Sequence, residues 1–61
     1  MLKEEDIYVG QPLIYRWSKL SWFATVIEID EEGFVLGFHD GDRTYIWYEY
    51  DMGMVIPLET K

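Results

Sequence analysis

The sequence predicts a small all-β domain, a barrel of about five strongly bent antiparallel strands. Short runs of β-branched and aromatic residues recur along the 61-residue chain. Gly, Pro, Asp and Ser punctuate them at the spacing of a barrel or tight sandwich. Asp40-Gly41 adds a hairpin signature between two such runs. A chain this short holds one domain, here 1–61, and buries only about 60% of its unfolded surface. Its composition compensates, with 49% apolar and 18% aromatic residues, because each large ring brings much buried area.

Residues 1–8 (MLKEEDIY) are a lead-in, either one helical turn or extended chain. Gly10 and Pro12 then break the chain, and Pro12 is admissible only where a strand starts. Leu13 to Trp17 is the first expected strand and Ser18 to Ser21 a loop. Trp22 to Ile29 is the longest strand candidate, with imperfect alternation. Ala24 and Val26 share one face, and Ile27 and Ile29 fall on the other. A bulge or sharp bend there would bring both sets to one core. Asp30 to Gly33 is a turn in which Gly33 can take positive φ. Phe34 to His39 alternates, with Gly37 marking a bend or close backbone approach. Asp40-Gly41 is expected to be the tightest turn. Thr44 to Tyr50 is nearly all β former, Asp51 to Gly53 ends it, and Met54 to Leu58 is a last strand that Pro57 assigns to an edge.

Composition excludes several classes of function. The formal charge is −7, and five cations cannot build the broad basic patch of a duplex binder. A basic protein partner fits that field better, although the charge also keeps an aromatic-rich domain soluble. With no cysteine, neither disulfides nor thiolate zinc can staple the fold. No apolar stretch is long enough to span a bilayer, and no signal segment opens the chain. The expectation is a cytoplasmic, free-standing unit complete from Met1. His39 is the only histidine, and Ser18 and Ser21 lie in another loop without a nucleophile-elbow pattern, so no catalytic residue is assigned. The acidic runs lack calcium-loop spacing and no glycine loop cradles phosphate, so no metal or cofactor is expected.

From Val9 to Leu58 the chain resembles Tudor-type domains of the SH3-like small-barrel superfamily. Val9-Gly10 precedes a strand ending in an aromatic. Trp22-Phe23-Ala24-Thr25-Val26 is similar to that family's paired aromatics followed by Ala and a β-branched residue. Phe34 to Gly41 is similar to its apolar run ending in an aromatic and an Asp-Gly pair. These short patterns point more to the fold than to a ligand. The resemblance implies an aromatic cage for methylated lysine or arginine, because ring faces attract a cation whose methyl groups weaken its hydration. The matching positions are Trp17, Trp22 and Phe38, with Asp40 or Asp42 as the acidic partner. A fourth cage ring has no match in the Asp40-Gly41-Asp42 turn, leaving Tyr45 or Trp47 to substitute. Core packing is the competing role for Phe38, which shares a face with Phe34 and Leu36.

A second argument needs no family. Tyr45, Trp47, Tyr48 and Tyr50 crowd one strand and cannot all fit inside a barrel this small. Tyr45 and Trp47 are expected on one face, Tyr48 and Tyr50 on the other, so one pair is exposed. Asp40, Asp42, Glu49 and Asp51 flank it. The expected function is a non-catalytic protein-binding module, receiving a basic or methylated segment on aromatics edged by carboxylates. Its rival is a small acidic inhibitor or adaptor of phage or mobile-element type, blocking a host protein, with nucleic-acid mimicry as one variant.

Overall fold

Apolar residues at alternate positions decide which way each strand faces, and turns decide which residues meet. The computed structural model describes residues 2–58. It contains β1 (Pro12–Trp17), β2 (Leu20–Ile29), β3 (Gly33–Phe38), β4 (Arg43–Trp47) and β5 (Val55–Pro57). All pairs are antiparallel, in one sheet ordered β4-β3-β2-β1-β5. The all-β expectation holds. Among the described residues no ladder joins β4 to β5, so the sheet is not closed. A flat layer would be about 10 Å thick, whereas the smallest extent here is 23 Å. The sheet is therefore curled around its inner face.

That inner face carries the core: Leu13 from β1, Ala24 and Val26 from β2, Phe34 and Leu36 from β3, Ile46 from β4 and Val55 from β5. The lead-in forms a 3₁₀ turn at Glu4–Asp6 and then buries Ile7 against the same cluster. Gln11, the one buried polar residue among those described, accepts the Tyr8 N–H on Oε1 at 3.1 Å. Its backbone carbonyl accepts from Val26 N–H at 3.0 Å, so the lead-in is tied to β2.

The bulge expected in β2 falls between Val26 and Glu28. It restores only part of the set. Skipping Ile27 shifts the alternation by one, so Ile29 packs against the core with Ala24 and Val26. Ile27 stays outside, 38% exposed, lying where a Gly37 side chain would be. Gly37 is thus the close approach that its mid-strand position suggested.

Three turns differ from expectation. The tightest connection is Ser18-Lys19, which alone separates Trp17 from its partner Leu20. Ser18 sits at φ 58, because a two-residue hairpin that follows the strand twist needs positive φ there. The Asp40-Gly41 connection is longer, spanning 39–42, with Gly41 at φ 94. Gly33 takes no positive φ. It is β3's first residue, and a side chain there would collide with the Ile46 carbonyl. β4 also ends early, at Trp47, because the Asp51 carboxylate takes the Trp47 N–H at 3.2 Å. The Trp47 carbonyl accepts from Tyr50 and Asp51, turning the chain. A 3₁₀ turn at Met52–Met54 leads into β5, the edge strand that Pro57 anticipated.

These contacts give a stability prediction. Gly33→Ala should cost about 3 kcal/mol, the upper end of overpacking, because backbone must yield. Gly53→Ala meets nothing within 4 Å and should stay within about 1 kcal/mol of the parent. Urea midpoints of the two variants check the difference, and equal midpoints would refute it.

Candidate functional site

Inward alternation continues past the core at one end of the sheet, where no further layer of the described residues covers it. Tyr15 follows Leu13 on the inner face of β1, Trp22 precedes Ala24 on β2, and Phe38 follows Leu36 on β3. The register sets Tyr15 opposite Trp22, and Ala24 opposite Phe38. Three rings from three strands therefore converge. Their centroids are 5.9 Å apart for Tyr15–Trp22, 5.6 Å for Tyr15–Phe38 and 6.5 Å for Trp22–Phe38. Both Phe38 contacts are edge-to-face, the favoured geometry for an aromatic pair. The Tyr15 hydroxyl points toward Met54 Sδ at 3.9 Å, which steadies the ring from below.

The rings form the floor of an open groove of about 630 Å³. Phe23, 71% exposed, extends its apolar wall, and His39, Asp40, Asp42 and Arg43 make its polar rim. The rim is ordered by its own turn. Asp40 Oδ1 accepts from Asp42 N–H at 3.0 Å, and the Asp42 carbonyl accepts from Phe38 N–H at 2.8 Å. One Asp40 oxygen is thereby engaged in the turn. The rim holds two carboxylates against one guanidinium.

Of the expected residues, Trp22, Phe38, Asp40 and Asp42 are brought together here. Phe38 is both core neighbour and groove wall, so its two expected roles coexist. Trp17 is not part of the groove. It stands at the hairpin tip opposite Leu20, 55% exposed, and Tyr15 supplies the ring instead. Tyr15 was legible only through register. Reading Ser18 to Ser21 as a loop left β1 and β2 unaligned, whereas a two-residue turn sets Tyr15 opposite Trp22. Phe23, His39 and Arg43 were also missed, since only the folded sheet gathers them around these rings.

Tyr45 and Trp47 do not substitute in this groove. They face outward from β4 and pack on each other edge-to-face at 4.9 Å. The missing side chain of Gly33 lets the Tyr45 ring pass close over β3, and its hydroxyl donates to Asp30 Oδ1 at 2.6 Å. That oxygen also accepts from Glu32 N–H at 2.8 Å and Gly33 N–H at 2.9 Å. The hydroxyl holds the Asp30 carboxyl below its ordinary 3.8, helped by the Glu32 amide. The same bond is the main cause that pushes Tyr45 up to about 12. Tyr48 and Tyr50, expected on one face, are split by the early end of β4. Tyr48 packs on Phe34 at 5.8 Å, and Tyr50 is 74% exposed. Trp47, Tyr48 and Tyr50 line a second, smaller hollow of about 360 Å³ with Glu4, Glu31, Glu32 and Glu49.

Among the described residues, no three His, Asp or Glu side chains are grouped to hold a metal ion, and no helix is long and apolar enough to cross a membrane. Comparison with protein-family models, curated protein sequences and solved structures finds no match.

The Asp30–Tyr45 bond predicts a pH signature. Asp30 is depressed, so its contribution is present above the ordinary Asp value of 3.8 and lost as pH falls through its lower folded value. Tyr45 is raised, so its contribution is complete below the ordinary 10.0 and lost as pH rises toward about 12. Wild type should therefore exceed Tyr45→Phe in stability most at intermediate pH, with the gap closing at both extremes. Melting temperatures of both proteins across pH check this, and a constant gap would refute it.

Proposed function

We propose that this chain is a non-catalytic protein-binding module of the SH3-like, Tudor-like kind, whose aromatic groove receives a basic or methylated side chain of a partner. One observation carries the reading: rings from Tyr15, Trp22 and Phe38 converge beside the carboxylates of Asp40 and Asp42. Aromatic faces attract a cation within about 6 Å of the ring centre, most strongly when the cation is poorly hydrated. The rings touch one another, so a cation rests over their shared floor rather than between parallel walls. Carboxylates at the rim hydrogen-bond any N–H that the cation retains. The exposed Phe23 gives the residues flanking that side chain an apolar shelf.

The acidic balance of the chain favours a basic partner by steering encounter. Arg43 tempers the rim and orients the ligand, since a partner's positive end is drawn to the Asp40–Asp42 side. Five antiparallel strands in one curled sheet support the strand number and bending that the barrel resemblance implies. Binding, not bond-breaking, suits this chemistry, because the groove offers π faces and charge but no activated nucleophile is needed.

Titration with a lysine peptide, unmodified and trimethylated, tests the reading. Backbone amide and indole NMR signals of Trp22, Phe38 and Asp42 should move, and the trimethylated peptide should bind about fivefold more tightly. Trp22→Ala should cost on the order of 2 kcal/mol of binding and Asp42→Asn less, with folding confirmed by circular dichroism. Unmoved groove signals with both peptides would overturn the reading.

A further inference from the structure

A second surface combines exposed rings with charge at the opposite end of β3 and β4. β3 separates it from the first groove by about 20 Å, the length of six extended residues. Trp47 closes β4 and is 42% exposed, and Tyr50, in the turn that follows, is 74% exposed and lines the same hollow. The turn that carries them is well tied, through Asp51 to the Trp47 N–H and through the Tyr48 N–H to the Glu32 carbonyl at 3.0 Å. That last bond brings Glu31 and Glu32 against the Trp47–Tyr50 turn. The lead-in 3₁₀ turn contributes Glu4 from the other side, and Glu49 lies in the turn itself. The hollow is thus walled by rings and four carboxylates, and among the described residues no cation lines it. Burial first, then the Glu4 and Asp30 carboxylates, raises the Tyr48 hydroxyl above its ordinary 10.0.

We infer that this hollow docks an unmodified, arginine-containing segment of a protein partner, at a site separate from the methyl-tolerant groove. Two features select arginine. Trp47 and Tyr50 offer planar faces on which a guanidinium stacks, and the surrounding glutamates accept from its remaining N–H donors. A lysine ammonium would keep the charge attraction but lose the stacking and the forked hydrogen bonds. Methylation, which favours the first groove, blocks those donors and disfavours this one. The inference does not rest on the first groove's function, since the residues are disjoint.

The probe is a short arginine peptide titrated into the whole chain, beside its lysine counterpart, with indole and amide NMR signals followed. Trp47 and Tyr50 signals should move at lower arginine-peptide concentration than those of Trp22 and Phe38, and at Trp47 and Tyr50 arginine should bind more tightly than lysine. Raising salt from about 0.05 M to about 0.3 M should weaken binding, because rim charges are screened. Trp47→Ala should weaken it roughly tenfold or more if the ring is an anchor. Trp47 also closes β4, so Tyr50→Ala and the exposed triple change Glu31→Gln, Glu32→Gln, Glu49→Gln provide independent arms and should each weaken binding severalfold. Shifts confined to the first groove, equal affinity for lysine, or unchanged affinity in the triple variant would overturn the inference. Concentration-dependent self-association abolished by Arg16→Glu and Lys19→Glu would also overturn it, by making the occupant a second copy's hairpin tip. The trimethyl-lysine titration reads the first groove alone, so failure at one site is distinguishable from failure at the other.

Discussion

The bulge at Ile27 is the constraint on which the rest of the sheet depends. A ten-residue strand with strict alternation would turn Ile29 outward once Ala24 and Val26 faced in. One extra residue lets all three serve the core and bends the strand, which is what a single sheet needs to curl around its own side chains. The bulge needs somewhere to put Ile27, and Gly37 on the neighbouring strand provides it. Because Trp22 shares its parity with Ala24, the same arrangement sends that ring inward at the far end of the strand. The groove floor is thus a continuation of the core, in rows where the sheet outruns what it can cover.

Smallness explains why those rings remain uncovered. A chain of this size has few side chains to spare for a second layer, and the lead-in is spent on burying Ile7 at the core. Large aromatics then supply packing area on one side and exposed area on the other. Without disulfide support, polar ties at the turns assume more of the work of holding strand ends. Asp30 illustrates it: one carboxylate oxygen accepts from two turn amides and from a hydroxyl on β4. Asp40 and Asp51 each accept one backbone amide at two other turns. The acidic residues are therefore of two kinds. Some are structural acceptors at turns, while the glutamates around Trp47 and Tyr50 stand at a surface.

The two aromatic surfaces differ in chemistry for a local reason. At the first, Arg43 enters the rim because it begins β4 beside Gly37, and the rings are clustered and partly buried. At the second, every charged neighbour among the described residues is a carboxylate and the rings are open. Clustered rings under modest charge suit a bulky, weakly hydrated cation, whereas open rings under stronger charge suit one that keeps its hydrogen-bond donors.

Much of this architecture is legible in the sequence. β-branched and aromatic runs between Gly, Pro and Asp mark five strands, because those residue types bias the backbone locally. Pro57 marks an edge because it lacks a donor, and Gly37 marks a close approach because it lacks a side chain. The dense aromatics foretell exposed rings, since a small core cannot hold them all, and Trp22, Phe38, Asp40 and Asp42 were identifiable as partners. Other features belonged to the tertiary structure alone. Whether Trp17 or Tyr15 meets Trp22 depends on the turn: a four-residue loop at 18–21 would pair Trp17 with Trp22, whereas the two-residue Ser18-Lys19 turn moves the pairing by two and sets Tyr15 there. The end of β4 depends on the Asp51 carboxylate reaching back to the Trp47 N–H, which parted Tyr48 from Tyr50. Gly33 is required by the Ile46 carbonyl of another strand, not by its own φ. In each case composition set the local preference, while cross-strand register, a relation between distant residues, decided which side chains share a surface.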